Sequence, residues 1–234
     1  IVVYGEQGIG DEILFSSCIP DLMKTNKVVI DCDPRLKELF ERSFGCAVYG
    51  TRFLDQTPLI EDHSIEYQMA IGDLPRFFRN TDEAFPGTPF LKPDPERCVQ
   101  WKSLLDTLGP GKKIGLAWSG GIINTEHHVR SFDIDVYKPL FELPHTFISL
   151  EYNEPDLKGY PIRHFGRAVD KSVNYEETAA LISQLDLVIS VATTSVHAAG
   201  SLGVECWCLA PKYPSYRYHL SGHMPWYSSV EVLR

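Results

Sequence analysis

The chain has 234 residues, 44% hydrophobic and 12% aromatic, which is enough to bury one large core or two small ones and is unlike a disordered chain. Its formal net charge of -9 excludes a general nucleic-acid binder, because affinity for a phosphate backbone needs clustered Lys and Arg; any phosphate bound here is held locally. No apolar run approaches the ~20 residues of a membrane span and no charged-then-apolar leader precedes the first strand, so a soluble, cytoplasmic protein is expected.

Ile1 to Tyr4 is a short apolar strand, and its start without an initiator Met fits a fragment or a processed chain. It enters Gly5-Glu-Gln-Gly8-Ile-Gly10-Asp11-Glu12, after which Ile13, Leu14, Ile19, Leu22 and Met23 recur at helical spacing. Val28 to Ile30 repeats the strand, and Pro34 opens a helix to Phe44 with Leu36, Leu39, Phe40 and Phe44 on one face. Cys46 to Tyr49 reads as a third strand.

Between Gly50 and Pro95 the periodicity weakens, leaving a strand at Tyr67 to Ile71 and a short helix at Leu74 to Phe78. Pro95 to Leu108 is helical and stops at Gly109-Pro110-Gly111, where the lobe boundary is placed: residues 1–110, then 111–234. The second part reads as strand (Lys113 to Trp118), Ser119-Gly120-Gly121 turn, polar loop, strands at Thr146 to Leu150 and Ile162 to Phe165, helix Tyr175 to Gln184 and strand Leu187 to Val191. A small-residue helix and the strand Glu205 to Leu209 complete it. Alternating strands and helices imply parallel sheets, hence an α/β protein with two Rossmann-like lobes facing a cleft and ligands at the carboxyl ends of the strands.

Six cysteines show no C-x-x-C pair and no disulfide-scaffold density, so reduced thiols are expected. Cys206 and Cys208 fall on one side of a strand and read as packing rather than metal ligation. His127 and His128 are adjacent, point apart and have no evident carboxylate partner, so no metal site is expected. Trp101, Trp118 and Trp207 are assigned to cores.

The most informative stretch is Leu185 to Gly203, a buried strand running into Thr193, Thr194 and Ser195 and then a helix of small residues containing His197. The free N–H groups and positive end of such a helix suit an anion, a nucleotide diphosphate above all; the plain alternative is a helix cap worth about 1 kcal/mol, with His197 structural. Arg130, beyond the Gly120-Gly121 turn, offers a fork for diphosphate oxygens. At the first turn, Gly5-x-x-Gly8-x-Gly10 departs from the dinucleotide fingerprint, and Asp11 reads equally as an ordinary acid stabilising a helix start.

Five stretches together resemble the heptosyltransferase-like glycosyltransferases, and most closely the glycosyltransferase-type domain found behind tetratricopeptide repeats in bacterial proteins. They are GEQGIGDEILFSSCIPDL, DPRLKELFERSF, KIGLAWSGG with RSFDI, TAALISQLDLVISVATTSVHAAGSLGVECW and PWYSSVEVLR, spread over nearly the whole chain. The resemblance implies a compact GT-B architecture, with acceptor elements in the first lobe and a nucleotide sugar held by the second. It makes Asp11 the general base on an acceptor hydroxyl, and Gly8, Gly10, Arg130, Thr193, Thr194, Ser195 and His197 the donor-binding residues. The implied reaction is inverting, metal-independent and without a cofactor beyond the sugar nucleotide, and the implied partners include tetratricopeptide repeats outside this chain. Ala192 stands where relatives commonly carry Asp, and a helix usually follows the Trp226-Tyr227 motif in relatives, where this chain ends at Arg234. A non-catalytic binding module of the same fold is the competing reading. An NAD enzyme, with Asp31 or Asp33 as the ribose acid, is a third.

Overall fold

The computed structural model describes residues 1–54, 64–120, 129–157, 159–169, 172–218, 222 and 224–234. Among these, the strands form two all-parallel sheets, one wholly before and one wholly after Gly109-Pro110-Gly111. The first lobe runs β1 (Val2–Tyr4), α1 (Ile9–Phe15), α2 (Ile19–Leu22), β2 (Val29–Asp31), α3 (Lys37–Phe44), β3 (Ala47–Tyr49), β4 (Gln68–Ala70) and α4 (Pro75–Phe78), with strand order β3-β2-β1-β4. After α5 (Pro95–Asp106), the second sheet uses β5 (Lys113–Ala117), β6 (Thr146–Ser149), β7 (Ile162–Arg163), α6 (Glu176–Ser183), β8 (Leu187–Val191), α7 (Thr194–Leu202), β9 (Cys206–Leu209) and β10 (Val230–Leu233). Its order, β10-β9-β8-β5-β6-β7, is that of a doubly wound sheet.

In each sheet the chain first winds one way and then crosses to the other side, so the order reverses between β1 and β4 and between β5 and β8. Crevices for ligands open at such reversals, beyond the strand carboxyl ends. There β1 releases the chain into α1, and β8 releases it into α7.

Side chains on β5 alternate, as strand geometry requires: Ile114 and Leu116 point into one cluster with Tyr137 and Phe147, while Ala117 joins the main core. That main core is shared by both lobes, running from Val3, Ile13 and Leu39 to Ile182, Val196 and Tyr227. Between the sheets, α5 packs on α6: Trp101 Nε1 donates to Glu177 Oε2 at 2.8 Å, and Arg97 pairs with the same carboxylate.

Several expectations shift. The helical run after Gly10 breaks into α1, a 3₁₀ turn (Ser16–Cys18) and α2, because Pro20 has no N–H to return to the carbonyl of Ser16. The helix expected from Pro34 begins as a 3₁₀ turn, Pro34–Leu36, capped by Asp33, whose carboxylate accepts from Arg35 N at 3.0 Å. The loop expected after Gly121 contains a 3₁₀ stretch, Ile134–Glu142, with Tyr137 buried, and β10 was not expected at all. Trp101 is buried, whereas Trp118 and Trp207 are half-buried against the smaller cluster. All six cysteines are free, with Cys206 and Cys208 buried on one face of β9. His127 and His128, with Gly121, lie outside the described residues.

Small residues on α7 have a steric cause. A Cβ built at Gly200 would lie 2.3 Å from Tyr227 Cγ, and Tyr227 is fully buried with its ring stacked on Phe90. Gly200→Ala is therefore expected to lower unfolding free energy by about 1–3 kcal/mol through overpacking, despite the better helix propensity of Ala. Urea unfolding measures this, and an unchanged midpoint would show that the ring has room to retreat.

Candidate functional site

The first turns of α1 and α7 meet face to face. Gly8 caps α1 from an extended conformation, with its carbonyl accepting from Asp11 N (2.9 Å) and Glu12 N (3.1 Å), which places Asp11 in the first helical turn. Gly10, beside it, has to be small: a Cβ there would stand 3.0 Å from Thr194 Oγ1 and 3.3 Å from both His197 Cδ2 and Thr194 Cα. Two helix starts from different lobes thus approach at backbone distance.

Thr193 caps α7 from an extended conformation, its Oγ1 accepting from Ser195 N at 3.3 Å and lying 3.2 Å from Ser190 Oγ. Ser195 is buried, and Thr193 and Thr194 are half-buried. The turn after β5 is braced against this cap. Glu151, at the end of β6, accepts from Trp118 N (2.7 Å), Ser119 N (3.0 Å) and the Ser119 hydroxyl, while Gly120 sits where a Cβ would lie 2.6 Å from Thr193 Cγ2.

A cavity of about 550 Å³ opens at this junction. Of the residues singled out from sequence, Asp11, Arg130 and His197 line it, joined by Ala192. Gly8, Gly10, Thr193, Thr194 and Ser195 do not line it; each lies within two positions in the chain of a residue that does. The Arg130 guanidinium donates to the Ala192 carbonyl, so position 192 presents a backbone oxygen to this cation. The cavity wall also brings in residues that sequence reading did not name: Gln7 beside the first glycine turn, and Tyr213, Ser215, Arg217 and Tyr218 from the segment after β9. Arg217 Nη2 pairs with Asp11 Oδ1 at 2.7 Å. The only signal for these residues was a cation among tyrosines, in Tyr216-Arg217-Tyr218, without periodicity to place it.

His197 is almost wholly buried between two tyrosines, with Tyr218 Oη 3.3 Å from Nε2 and Tyr227 Oη 3.5 Å from Nδ1. Burial, helped by the nearby Arg217 and Arg130 cations, pushes its pKa down to about 3, so the ring is neutral at physiological pH. A neutral imidazole between hydroxyls is a hydrogen-bonding post for the α7 turn rather than a charge for a diphosphate. Among the described residues, no group of three or more His, Cys, Asp or Glu side chains is placed to hold a metal ion.

Behind Asp11, Glu12 is fully buried, pairs with Arg52 and accepts from Asp33 N at 2.9 Å. A Cβ at Gly5 would fall 2.4 Å from its carboxyl carbon, so the first glycine of the turn makes room for this acid. Burial pushes the Glu12 carboxyl up to about 7, against the lowering pull of the Asp33 amide and Arg52. The folded protein then binds this proton more tightly than the unfolded chain, so the Glu12 contribution to stability falls as pH rises from about 4.5 to about 7. His197 works in the opposite direction below about 6.5, since its folded form resists protonation. The difference in Tm between the wild type and Glu12→Gln, followed from pH 5 to 8, isolates the acid: it is expected to shift against the wild type as pH rises, and a constant difference would show that Glu12 stays charged throughout. Asp31 and Asp33 are both engaged within the lobe, Asp31 Oδ1 accepting from Thr51 N (2.9 Å) and Thr51 Oγ1 (3.0 Å) and Asp33 pairing with Arg35 at 2.7 Å.

No protein-family model matches the chain. It is 30% identical to Protein FlbA of Caulobacter vibrioides over 252 aligned positions, covering 98% of this chain and 42% of FlbA, so it spans less than half the length of that curated relative. The crystal structure of the glycosyl transferase family 9 from Veillonella parvula DSM 2008 superposes with a TM-score of 0.66 at 12% identity, covering 99% of this chain and 86% of that one. E. coli ADP-heptose lps heptosyltransferase II superposes with a TM-score of 0.65 at 11% identity, covering 100% of this chain and 89% of that one. The chain therefore has the two-lobed α/β architecture, of GT-B type, of these glycosyltransferase structures.

Proposed function

We propose that this chain is a glycosyltransferase, or the glycosyltransferase domain of a longer protein, moving a sugar from a nucleotide-diphosphate donor to a hydroxyl acceptor with inversion and without a metal. In this reading Asp11 Oδ takes the acceptor proton as the hydroxyl oxygen bonds to the anomeric carbon. The bond from that carbon to the diphosphate breaks with its electron pair going to the diphosphate. Arg130 and the start of α7 at Thr193, Thr194 and Ser195 stabilise the departing charge, His197 holds that turn, and Gly8 and Gly10 keep the α1 side close to it.

The observation that carries this reading is the convergence of Asp11 from one lobe with Arg130 and Ala192 from the other on a single cavity at the strand carboxyl ends. The fold shared with glycosyltransferase structures supports it. The longer curated relative also supports a domain working inside a larger chain, for which tetratricopeptide repeats outside this segment, in the cytoplasm, are the proposed setting. Among the described residues no helix is long and apolar enough to cross a membrane.

Ala192 favours one competing reading, a module that binds a sugar nucleotide without transferring from it, because the carboxylate that the family resemblance implies at this position is absent. Incubation with ADP-, UDP- and GDP-sugars in EDTA, with release of nucleoside diphosphate measured, separates the two. Transfer or hydrolysis supports the enzyme, binding alone supports the module, and neither overturns both.

A further inference from the structure

The cavity carries a second arginine, from the segment after β9. Arg217 lies on the 3₁₀ turn Tyr216–Tyr218, beyond β9 in the second lobe, and reaches across to the first. Its Nη2 stands 2.7 Å from Asp11 Oδ1 and donates to Gln7 Oε1 at 3.1 Å, and its Nη1 donates to Ser215 Oγ at 3.2 Å. Its Nε is buried and has no hydrogen-bond partner among the described residues. The guanidinium carbon lies 4.8 Å from the Tyr216 ring centroid and 5.8 Å from that of Phe15, so aromatic rings confine the group while leaving it on the cavity wall.

With Asp11 Oδ1 held by a guanidinium, a hydroxyl that hands its proton to this oxygen has to compete with Arg217 for it. A diphosphate brought against the same wall carries more negative charge than one carboxylate and presents paired oxygens that match the guanidinium fork.

We propose that Arg217 is a catalytic cation shared by two anions of one reaction, the Asp11 carboxylate as it stands here and the donor diphosphate, which draws the guanidinium away and frees Asp11 Oδ1 for the acceptor proton. This inference rests on the glycosyl-transfer reading and adds an order to it: donor first, acceptor second. As the anomeric carbon passes to the acceptor oxygen, the proton goes to Asp11, the electron pair goes to the diphosphate oxygen, and Arg217 with Arg130 offsets the charge that appears there. Arg217 thereby couples base release to donor arrival, which prevents Asp11 from acting without a sugar in place.

The test titrates ADP, UDP and GDP calorimetrically into the wild type, Arg217→Gln, Arg217→Lys and Asp11→Asn, with near-UV circular dichroism confirming each fold. Loss of a charge-assisted contact is expected to weaken binding of the preferred nucleotide about tenfold or more in Arg217→Gln, with Arg217→Lys between it and the wild type. Asp11→Asn is expected to bind severalfold more tightly, because the arginine no longer has to leave a carboxylate. Wild-type affinity in Arg217→Gln would mean that the arginine serves Asp11 alone, and unchanged affinity in Asp11→Asn would mean that no exchange occurs; either overturns the proposal while leaving glycosyl transfer standing. If the wild type binds none of the three nucleotides, the donor reading falls and this inference falls with it.

Discussion

Asp11→Asn is expected to reduce sugar transfer by about a hundred- to ten-thousand-fold, the range over which a positioned general base acts. The substitution keeps the shape of the side chain and its place in the first turn of α1, and it removes the capacity to take a proton together with the charge that pairs with Arg217. Because the exchange removes a negative charge from the cavity wall and no positive one, nucleoside diphosphate binding should survive it and tighten as Arg217 is released. A kcat collapse without any loss of affinity is thus the signature of a base. Equal transfer by the variant would remove Asp11 from the mechanism. Loss of transfer together with loss of binding would instead make Asp11 part of the donor seat.

The largest expected effect on stability comes from Glu176→Ala. Glu176, at the start of α6, is fully buried and accepts three hydrogen bonds of 2.9–3.0 Å from the Arg42 guanidinium on α3, so this pair ties the lobes together. Removing one partner of a buried pair costs about 3–5 kcal/mol, because the other charge is left without its counter-ion. Arg42 is 28% exposed and has Asp94 at 3.8 Å, which sets the expected loss near the low end, about 3 kcal/mol. A domain of ordinary stability has about 5–15 kcal/mol in total, so guanidinium-induced unfolding should show a large shift in midpoint. A loss well below 1 kcal/mol would mean that the pair behaves as a surface contact and that the shared hydrophobic core alone joins the lobes.

Burial on both faces explains why the central strands were easier to read in the sequence than the strand at the sheet edge. Strands such as Leu187–Val191 and Lys113–Ala117 are buried on both faces, which leaves continuous apolar runs that any reading finds. By contrast β10, Val230–Leu233, alternates buried and half-exposed residues over only four positions at the sheet edge, a pattern too short to stand out. The stretch Ile134–Glu142 carries Pro139 and winds as a 3₁₀ helix, so it has neither a 3.6-residue nor a two-residue period to betray it.

The candidate site divides along the same line. Asp11 and the Thr193 cap were legible because glycine turns and hydroxyl-rich helix starts have local sequence signatures. Arg217 was not, because its partner is 206 positions away in the chain and only the apposition of the lobes brings them to 2.7 Å. His197 was legible as a residue of interest but not in its role: burial between Tyr218 and Tyr227, which makes the ring neutral, is a property of packing that no spacing rule contains. Glu12 shows the same limit, since its burial depends on a glycine seven positions earlier and an arginine 40 positions later.

The most direct measurement is a crystal structure of the protein grown with whichever of ADP, UDP or GDP binds. Diphosphate density within hydrogen-bonding distance of Arg130 and the first amides of α7, in the cavity that Asp11 lines, is the predicted result. A nucleotide seated elsewhere on the protein, with Arg130 and the start of α7 making no contact to its phosphates, would contradict the assignment of this cavity as the donor site.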